Sequence, residues 1–186
     1  MFKHIIEPGL HLQILEKRHA QEVLNMIEKN RSYLAEWLPW AETTTKVEHM
    51  EGFIETELHR FAKNNGFTSG IFIENQFCGC IGIHPINWND RHVSIGYWLG
   101  EDFQGKGIMT KANKAIHNYI FDELDLNKIH IQACAGNVKS QTIPQRLGFT
   151  QEGILRQYQL LNGVYHDHFV YGLLKEERTN LGLEES

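Results

Sequence analysis

The sequence predicts an α/β domain built on a mixed sheet. Three observations carry that prediction. Stretches of helical apolar spacing alternate with stretches rich in β-branched and aromatic residues. Asn162-Gly163 separates two long strand-like runs and is a strong hairpin signal. A strand-like run around residues 92–99 passes through a glycine-rich turn directly into an amphipathic helix.

Taken in order, residues 9–15 set Leu10, Leu12 and Ile14 against His11 and Gln13, the alternation of a strand. Ala20, Val23, Leu24 and Ile27 recur at helical spacing, so residues 17–30 read as a helix. Residues 31–41 hold Trp37-Leu38-Pro39-Trp40 and read as an aromatic-rich connection. Val47, Met50, Ile54, Leu58 and Phe61 mark a second helix ending near Asn64-Asn65-Gly66. Strands are expected at residues 67–73, 77–86 and 92–99, broken by Glu74-Asn75-Gln76 and Asn87-Trp88-Asn89-Asp90. Beyond the glycine-rich turn, Ile108, Ala112, Ala115, Ile116, Tyr119 and Ile120 form one helical stripe. Residues 129–135 read as a strand buried on both faces. Residues 138–147 read as a short helix stopped by Gly148, and residues 149–161 and 164–174 as the closing hairpin.

A chain of 186 residues is expected to form one domain, spanning 1–186. The formal charge of −5 points away from nucleic acid as a partner. No apolar run approaches the ~18 residues of a membrane span, and Met1-Phe2-Lys3-His4 lacks the apolar core of a secretory signal. Three cysteines imply no disulfide framework, so a reduced, cytoplasmic protein is expected.

The chemistry concentrates at Gly96-Tyr97-Trp98-Leu99 and the following Gln104-Gly105-Lys106-Gly107-Ile108-Met109-Thr110. A helix leaves its first N–H groups unpaired, with the positive end of its dipole towards the turn. Glycines there remove the Cβ atoms that would keep an anion from the backbone, and Lys106 adds a point charge. A plain strand-to-helix turn remains the simpler reading of a lone Gly-x-Gly. The spacing is not that of a P-loop, and Thr110 stands where a dinucleotide fingerprint needs its third glycine.

Residues 104–109 resemble the pyrophosphate loop of the GNAT acetyltransferases, with Met109 at a position usually Gly or Ala. Asn137-Val138-Lys139-Ser140, followed by Gly148-Phe149, looks like a second segment of the same family, in the family's order. Trp37-Leu38-Pro39-Trp40, Ile95-Gly96-Tyr97-Trp98 and Gly148-Phe149-Thr150-Gln151-Glu152-Gly153 bring the match nearer to ribosomal-protein N-terminal acetyltransferases of the RimJ/RimL type. The resemblance implies a GNAT-like fold, a mixed, mostly antiparallel sheet flanked by helices, and transfer of an acetyl group from acetyl-coenzyme A to an amine.

It also implies residue roles. The backbone of Tyr97, Trp98 and Leu99 would pair with the pantetheine arm, and Gln104 to Thr110 (Gly105, Lys106, Gly107, Ile108 and Met109 between them) would hold the pyrophosphate. Asn137 would hold the arm from the far wall, or serve as a helix cap, or both. Ser140 would protonate the departing thiolate, or be a solvated first-turn serine. Some ribosomal-protein acetyltransferases carry a Glu where Gln159 stands, and glutamine is no base, so Glu42, His84 and Asp167 are the local candidates for that task. His84 reads equally as a hydrogen-bonded strand residue. Trp37, Trp40, Tyr158 and His84 would border the acceptor, with ordinary core aromatics as the alternative. His166 and His168 share a strand face without a third ligand and read as solvated, and Cys78 and Cys80 do not form Cys-x-x-Cys, so no metal is assigned. The expected partners are acetyl-coenzyme A, a protein N-terminus or small amine, and a second copy in a homodimer, with no nucleic acid and no membrane. Two rivals stand beside this reading: a small-molecule amine acetyltransferase acting on a polyamine, amino sugar or antibiotic, and a coenzyme A-binding protein without catalysis.

Overall fold

A computed structural model describes residues 3–180, so Met1 and Phe2 of the N-terminal tetrapeptide and residues 181–186 of the expected domain lie outside the described residues. The strands are β1 (Lys3–Glu7), β2 (Leu10–Ile14), β3 (Phe67–Ile73), β4 (Gln76–Ile83), β5 (His92–Leu99), β6 (Lys128–Cys134), β7 (Thr150–Leu161) and β8 (Val164–Leu174). The helices are α1 (Ala20–Lys29), α2 (Arg31–Ala35), α3 (Trp40–Thr43), α4 (Val47–Ala62), α5 (Ile108–Asn118), α6 (Val138–Arg146) and α7 (Lys175–Asn180). The strands form one eight-stranded sheet in the order β1-β2-β3-β4-β5-β6-β8-β7, with every pair antiparallel except β5–β6. The predicted mixed, mostly antiparallel sheet flanked by helices is the architecture observed.

Each face of the sheet buries one apolar cluster. On one side Ile108, Ala112 and Ile116 of α5 pack on Ile81, Ile95, Ile129 and Ile131. On the other, Val23, Leu24 and Ile27 of α1 and Met50 and Ile54 of α4 pack on Phe72, Phe77 and Cys80. Each fully buried isoleucine contributes about 1.5–3 kcal/mol of transfer free energy. Among the described residues no helix is long and apolar enough to cross a membrane.

Five expectations need correction. β1 was not foreseen, because Lys3–Glu7 has no alternation to read and is largely exposed at the sheet edge. β2 is buried on both faces, with His11 stacked on Phe72 at 5.2 Å, because helices cover both of its sides. The connection expected at residues 31–41 holds α2 and the start of α3, helices too brief for periodicity to register. β6 is not buried on both faces: Ile129, Ile131 and Ala133 point to the core while Gln132 is exposed. Finally, α5 runs on into a wider π-helical turn at Tyr119–Glu123.

Candidate active site

β5 and β6 pair at His92↔Lys128, Val93↔Ile129 and Ser94↔His130, and then part. Past Ser94, β5 keeps its ladder to β4 (Ile83↔Ile95 through Gly79↔Leu99) but has no β6 partner. The opening between them is a cleft of about 760 Å³. An unpaired strand edge of this kind can hydrogen-bond an extended chain of amides.

One end of the cleft is the glycine turn. Gly105 and Gly107 have φ of +71° and +73°, where an L side chain is strained, and Gly107 is the residue that starts α5. A Cβ at either glycine would meet no protein atom within 4 Å, so the main chain there faces open space. Among the described residues no side chain caps the α5 N-terminus. These features fit a pyrophosphate: free N–H groups, a dipole end and unobstructed approach. The Met109 side chain is buried in the core, which leaves its backbone on the cleft side of the helix start.

The far wall is the start of α6. Ser140 N donates to Asn137 Oδ1 at 3.1 Å, so Asn137 caps this helix. Tyr97 Oη donates to the Ser140 carbonyl at 3.0 Å, tying β5 to α6 across the cleft. Burial pushes the Tyr97 phenol well up, partly offset by that bond, so it stays a donor. Gln141 Nε2 donates to the carbonyls of Cys134 and Ala135 at 2.9 and 2.8 Å and fixes α6 on the end of β6. Lys139 Nζ reaches Gln104 Oε1 at 3.1 Å and links the two walls at the mouth.

At the other end Tyr33, Trp37 and Leu38, from α2 and the link to α3, face Trp98, Gln159 and His168. Trp37 approaches Gly136 so closely that a methyl group there would lie 2.8 Å from its ring. On β7 the register slips between Leu155 and Gln159, and Gln157 takes φ +50°. Asp167 Oδ1 accepts the Gln157 N–H at 2.8 Å and so holds this bulge. Gln159 Oε1 lies 2.8 Å from His168 Nε2, and the Tyr158 ring packs 5.0 Å from the imidazole. His168 is 9% exposed; burial first, and His166 second, hold its pKa below the ordinary 6.5.

The cleft therefore brings together Tyr97, Trp98, Leu99, Gln104, Gly105, Gly107, Ile108, Met109, Thr110, Asn137, Ser140 and Trp37. Six candidates are placed elsewhere. Lys106 is exposed and lies 5.7 Å from the Phe103 ring. Trp40 is 38% exposed and leans on the outside of Trp98 at 6.0 Å, since the start of α3 turns it away from Trp37. The His84 ring covers the face of Gly96 and does not line the cleft. Tyr158 projects from the bulge, 57% exposed. Glu42 is on the solvent side of α3, and Asp167 is engaged by Gln157 N. The expectation of a solvated His168 is corrected: the Cys134 and Gln159 neighbourhood buries it. Tyr33, Leu38, Lys139 and His168 line the cleft unforeseen. Only the Asn137 block, which places Lys139 beside Ser140, offered a signal for any of them.

Residues 10–150 match the family described as the acetyltransferase (GNAT) domain. The YdaF protein of Bacillus subtilis (strain 168), whose name assigns it provisionally to the ribosomal N-acetyltransferases, is 35% identical over 178 residues, 95% of this chain and 97% of its own. The ribosomal-protein-serine acetyltransferase of Escherichia coli (strain K12) is 26% identical over 166 residues, 89% of this chain and 93% of its own. The solved structure of RimL, a ribosomal L7/L12 alpha-N-protein acetyltransferase in complex with coenzyme A, superposes with a TM-score of 0.90 at 26% identity, covering 93% of this chain and 98% of that one. The chain belongs to the GNAT acetyltransferase family, and it is an acetyl-coenzyme A-dependent N-acetyltransferase.

Proposed function

We propose that the acceptor is the α-amine of a protein N-terminus with a small first residue, Ser or Ala, and that ribosomal proteins are the substrate class. One observation carries this reading. The acceptor end is walled by Tyr33, Trp37, Leu38 and Trp98, and among the described residues no side chain lining the cleft is Asp or Glu. A polyamine or aminoglycoside antibiotic brings several cations, which need facing carboxylates to be held. A peptide N-terminus brings one amine on an otherwise neutral chain. The relatives named for ribosomal serine and α-N-protein acetylation support the same class.

In this reading the N–H groups at residues 105–110 hold the pyrophosphate, and the free edge of β5 pairs with the pantetheine amides. Asn137 and Tyr97 fix the first turn of α6, so that the Ser140 hydroxyl is presented to the leaving sulfur. A thiol of pKa about 8.5 is a modest leaving group, so a proton donated to it lowers the barrier. The exposed Ile154, Leu160, Val164 and Tyr165 of the β7–β8 hairpin are where the expected homodimer would form.

The test is acetyl-coenzyme A consumption at neutral pH against Ser- and Ala-initiated peptides, lysine peptides, spermidine and an aminoglycoside. Faster turnover of the N-terminal peptides is expected, with Trp37→Ala raising the peptide KM more than Trp40→Ala. Efficient turnover of spermidine or the aminoglycoside, without peptide activity, would replace this reading by the small-molecule one.

A further inference from the structure

Acetyl-coenzyme A has a pantetheine arm, a pyrophosphate, and an adenosine that carries a phosphate monoester on its ribose 3′ oxygen. The free β5 edge and the glycine turn suit the first two parts. The third carries a charge of about −1.5 to −2 at neutral pH, and neither of those elements accounts for it.

The remaining wall of the cleft is one face of α6. Lys139, Thr142, Ile143 and Arg146 all line the cleft, and their spacing puts them on one side of the helix. At 1.5 Å per residue the two cations stand about 10 Å apart along the axis. Among the described residues they are the only Lys or Arg lining the cleft, and no Asp or Glu lines it to cancel them. The wall is therefore positive in a chain whose formal charge is −5.

The two cations differ in their engagements. Lys139 Nζ lies 3.1 Å from Gln104 Oε1 and 5.4 Å from the centre of the Tyr33 ring. Arg146 is exposed, and among the described residues its guanidinium has no ion pair and no hydrogen-bond partner. Between them Thr142 Oγ1 donates to the Lys139 carbonyl at 2.8 Å, and Ile143 is half-buried apolar surface. An arginine in the last turn of a helix gains a little from the helix dipole. That gain explains a cation at this position but not its place in the cleft wall.

We propose that Arg146 binds the ribose 3′-phosphate of coenzyme A, and that the α6 face from Lys139 to Arg146 is the adenosine subsite. A guanidinium suits the task because its planar fork meets phosphate oxygens in pairs, whereas an ammonium is a point charge. Lys139, tied to Gln104, stands at the pyrophosphate end of the same face, and Ile143 offers its apolar surface to the base. The assignment rests on the pyrophosphate lying at the glycine turn and does not depend on the acceptor. One helix then reads both ends of the cosubstrate, with Ser140 at the thioester and Arg146 about two turns further on at the phosphate.

The experiment is titration calorimetry of coenzyme A and of 3′-dephospho-coenzyme A, which differ in that one phosphate. The proteins are the wild type, Arg146→Gln, Arg146→Lys and Lys63→Gln. Lys63 is exposed at the end of α4 and does not line the cleft, so its variant controls for the loss of one positive charge. The wild type is expected to bind coenzyme A roughly tenfold tighter than the dephospho compound. Arg146→Gln should cut that preference to about twofold by weakening coenzyme A alone, and Arg146→Lys should keep part of it. Lys63→Gln should change neither affinity, and added salt should erode the wild-type preference. Equal weakening of both ligands by Arg146→Gln would move the arginine to the pyrophosphate, and unchanged affinities would leave it a solvated helix end. Either result overturns the assignment. The dephospho compound keeps the pyrophosphate and the arm, so its failure to bind the wild type would strike the glycine-turn placement itself, and the assignment with it.

Discussion

Ser140 occupies a position in which its main chain and side chain have separate duties. Its N–H is held by Asn137 and its carbonyl by Tyr97, so both main-chain bonds survive removal of the hydroxyl. Ser140→Ala is therefore expected to leave coenzyme A affinity within about twofold while kcat falls roughly 10²-fold, the usual yield of one positioned acid. Steady-state and single-turnover rates on the same preparation separate the two. An unchanged single-turnover rate would make the hydroxyl a bystander and leave the sulfur to be protonated by water. The residue scale is also where the sequence was least legible. Trp37 and Trp40 flank one proline and look equivalent on paper, yet the start of α3 sends one ring into the cleft and the other to its outside. His168 looked like half of a solvated pair, and only its register partner Cys134 and the bulged Gln159 make it an interior group.

At the scale of elements, the turn from β5 into α5 was legible because its reason is local. Two glycines with positive φ and a helix start are written in consecutive residues, and no distant contact is needed to place them. Gly107→Val is expected to raise the dissociation constant of acetyl-coenzyme A at least tenfold, about 1.4 kcal/mol. The added Cβ would meet no atom of the described residues within 4 Å, so the expected effect comes from strain at φ +73° and from bulk projecting into the open space beside the turn. Calorimetry on the folded variant decides, and an unchanged affinity would remove the turn from the binding site. The β7 bulge was illegible for the opposite reason. Its cause is a hydrogen bond from Gln157 to Asp167 across the hairpin, which no spacing within either strand announces. The same holds for α2 and α3, which exist because Leu34, Ala35 and Ala41 are buried by their surroundings rather than because five or four residues favour a helix.

At the scale of the whole molecule, acid stability should be governed by buried histidines. His117 on α5 is 2% exposed, packs 5.3 Å from Phe149, and has no partner for either ring nitrogen among the described residues. Burial, with the Arg178 charge second, pushes its pKa down to about 3. The unfolded chain binds this proton near pH 6.5, the folded chain only near the lower value, so the stability from a neutral His117 is complete above pH 6.5 and is lost as the pH falls towards 3. Between pH 7.5 and 5 that one group removes about 2 kcal/mol. Urea unfolding of wild type and His117→Leu at both pH values is expected to show a smaller acid loss in the variant, and equal losses would place the sensitivity elsewhere. The three-residue pairing of β5 with β6 has its own consequence at this scale. Among the described residues it is the one parallel seam in the sheet, and it joins a half made of β1–β5 to a half made of β6–β8. Those amide hydrogens along residues 95–99 that the β4 ladder does not hold face the gap and are left to exchange with solvent. In the proposed reading an extended, amide-bearing arm would cover them as a borrowed strand, so that the two halves would form one continuous ladder only while the enzyme is loaded, and hydrogen exchange at these positions with and without coenzyme A tests it.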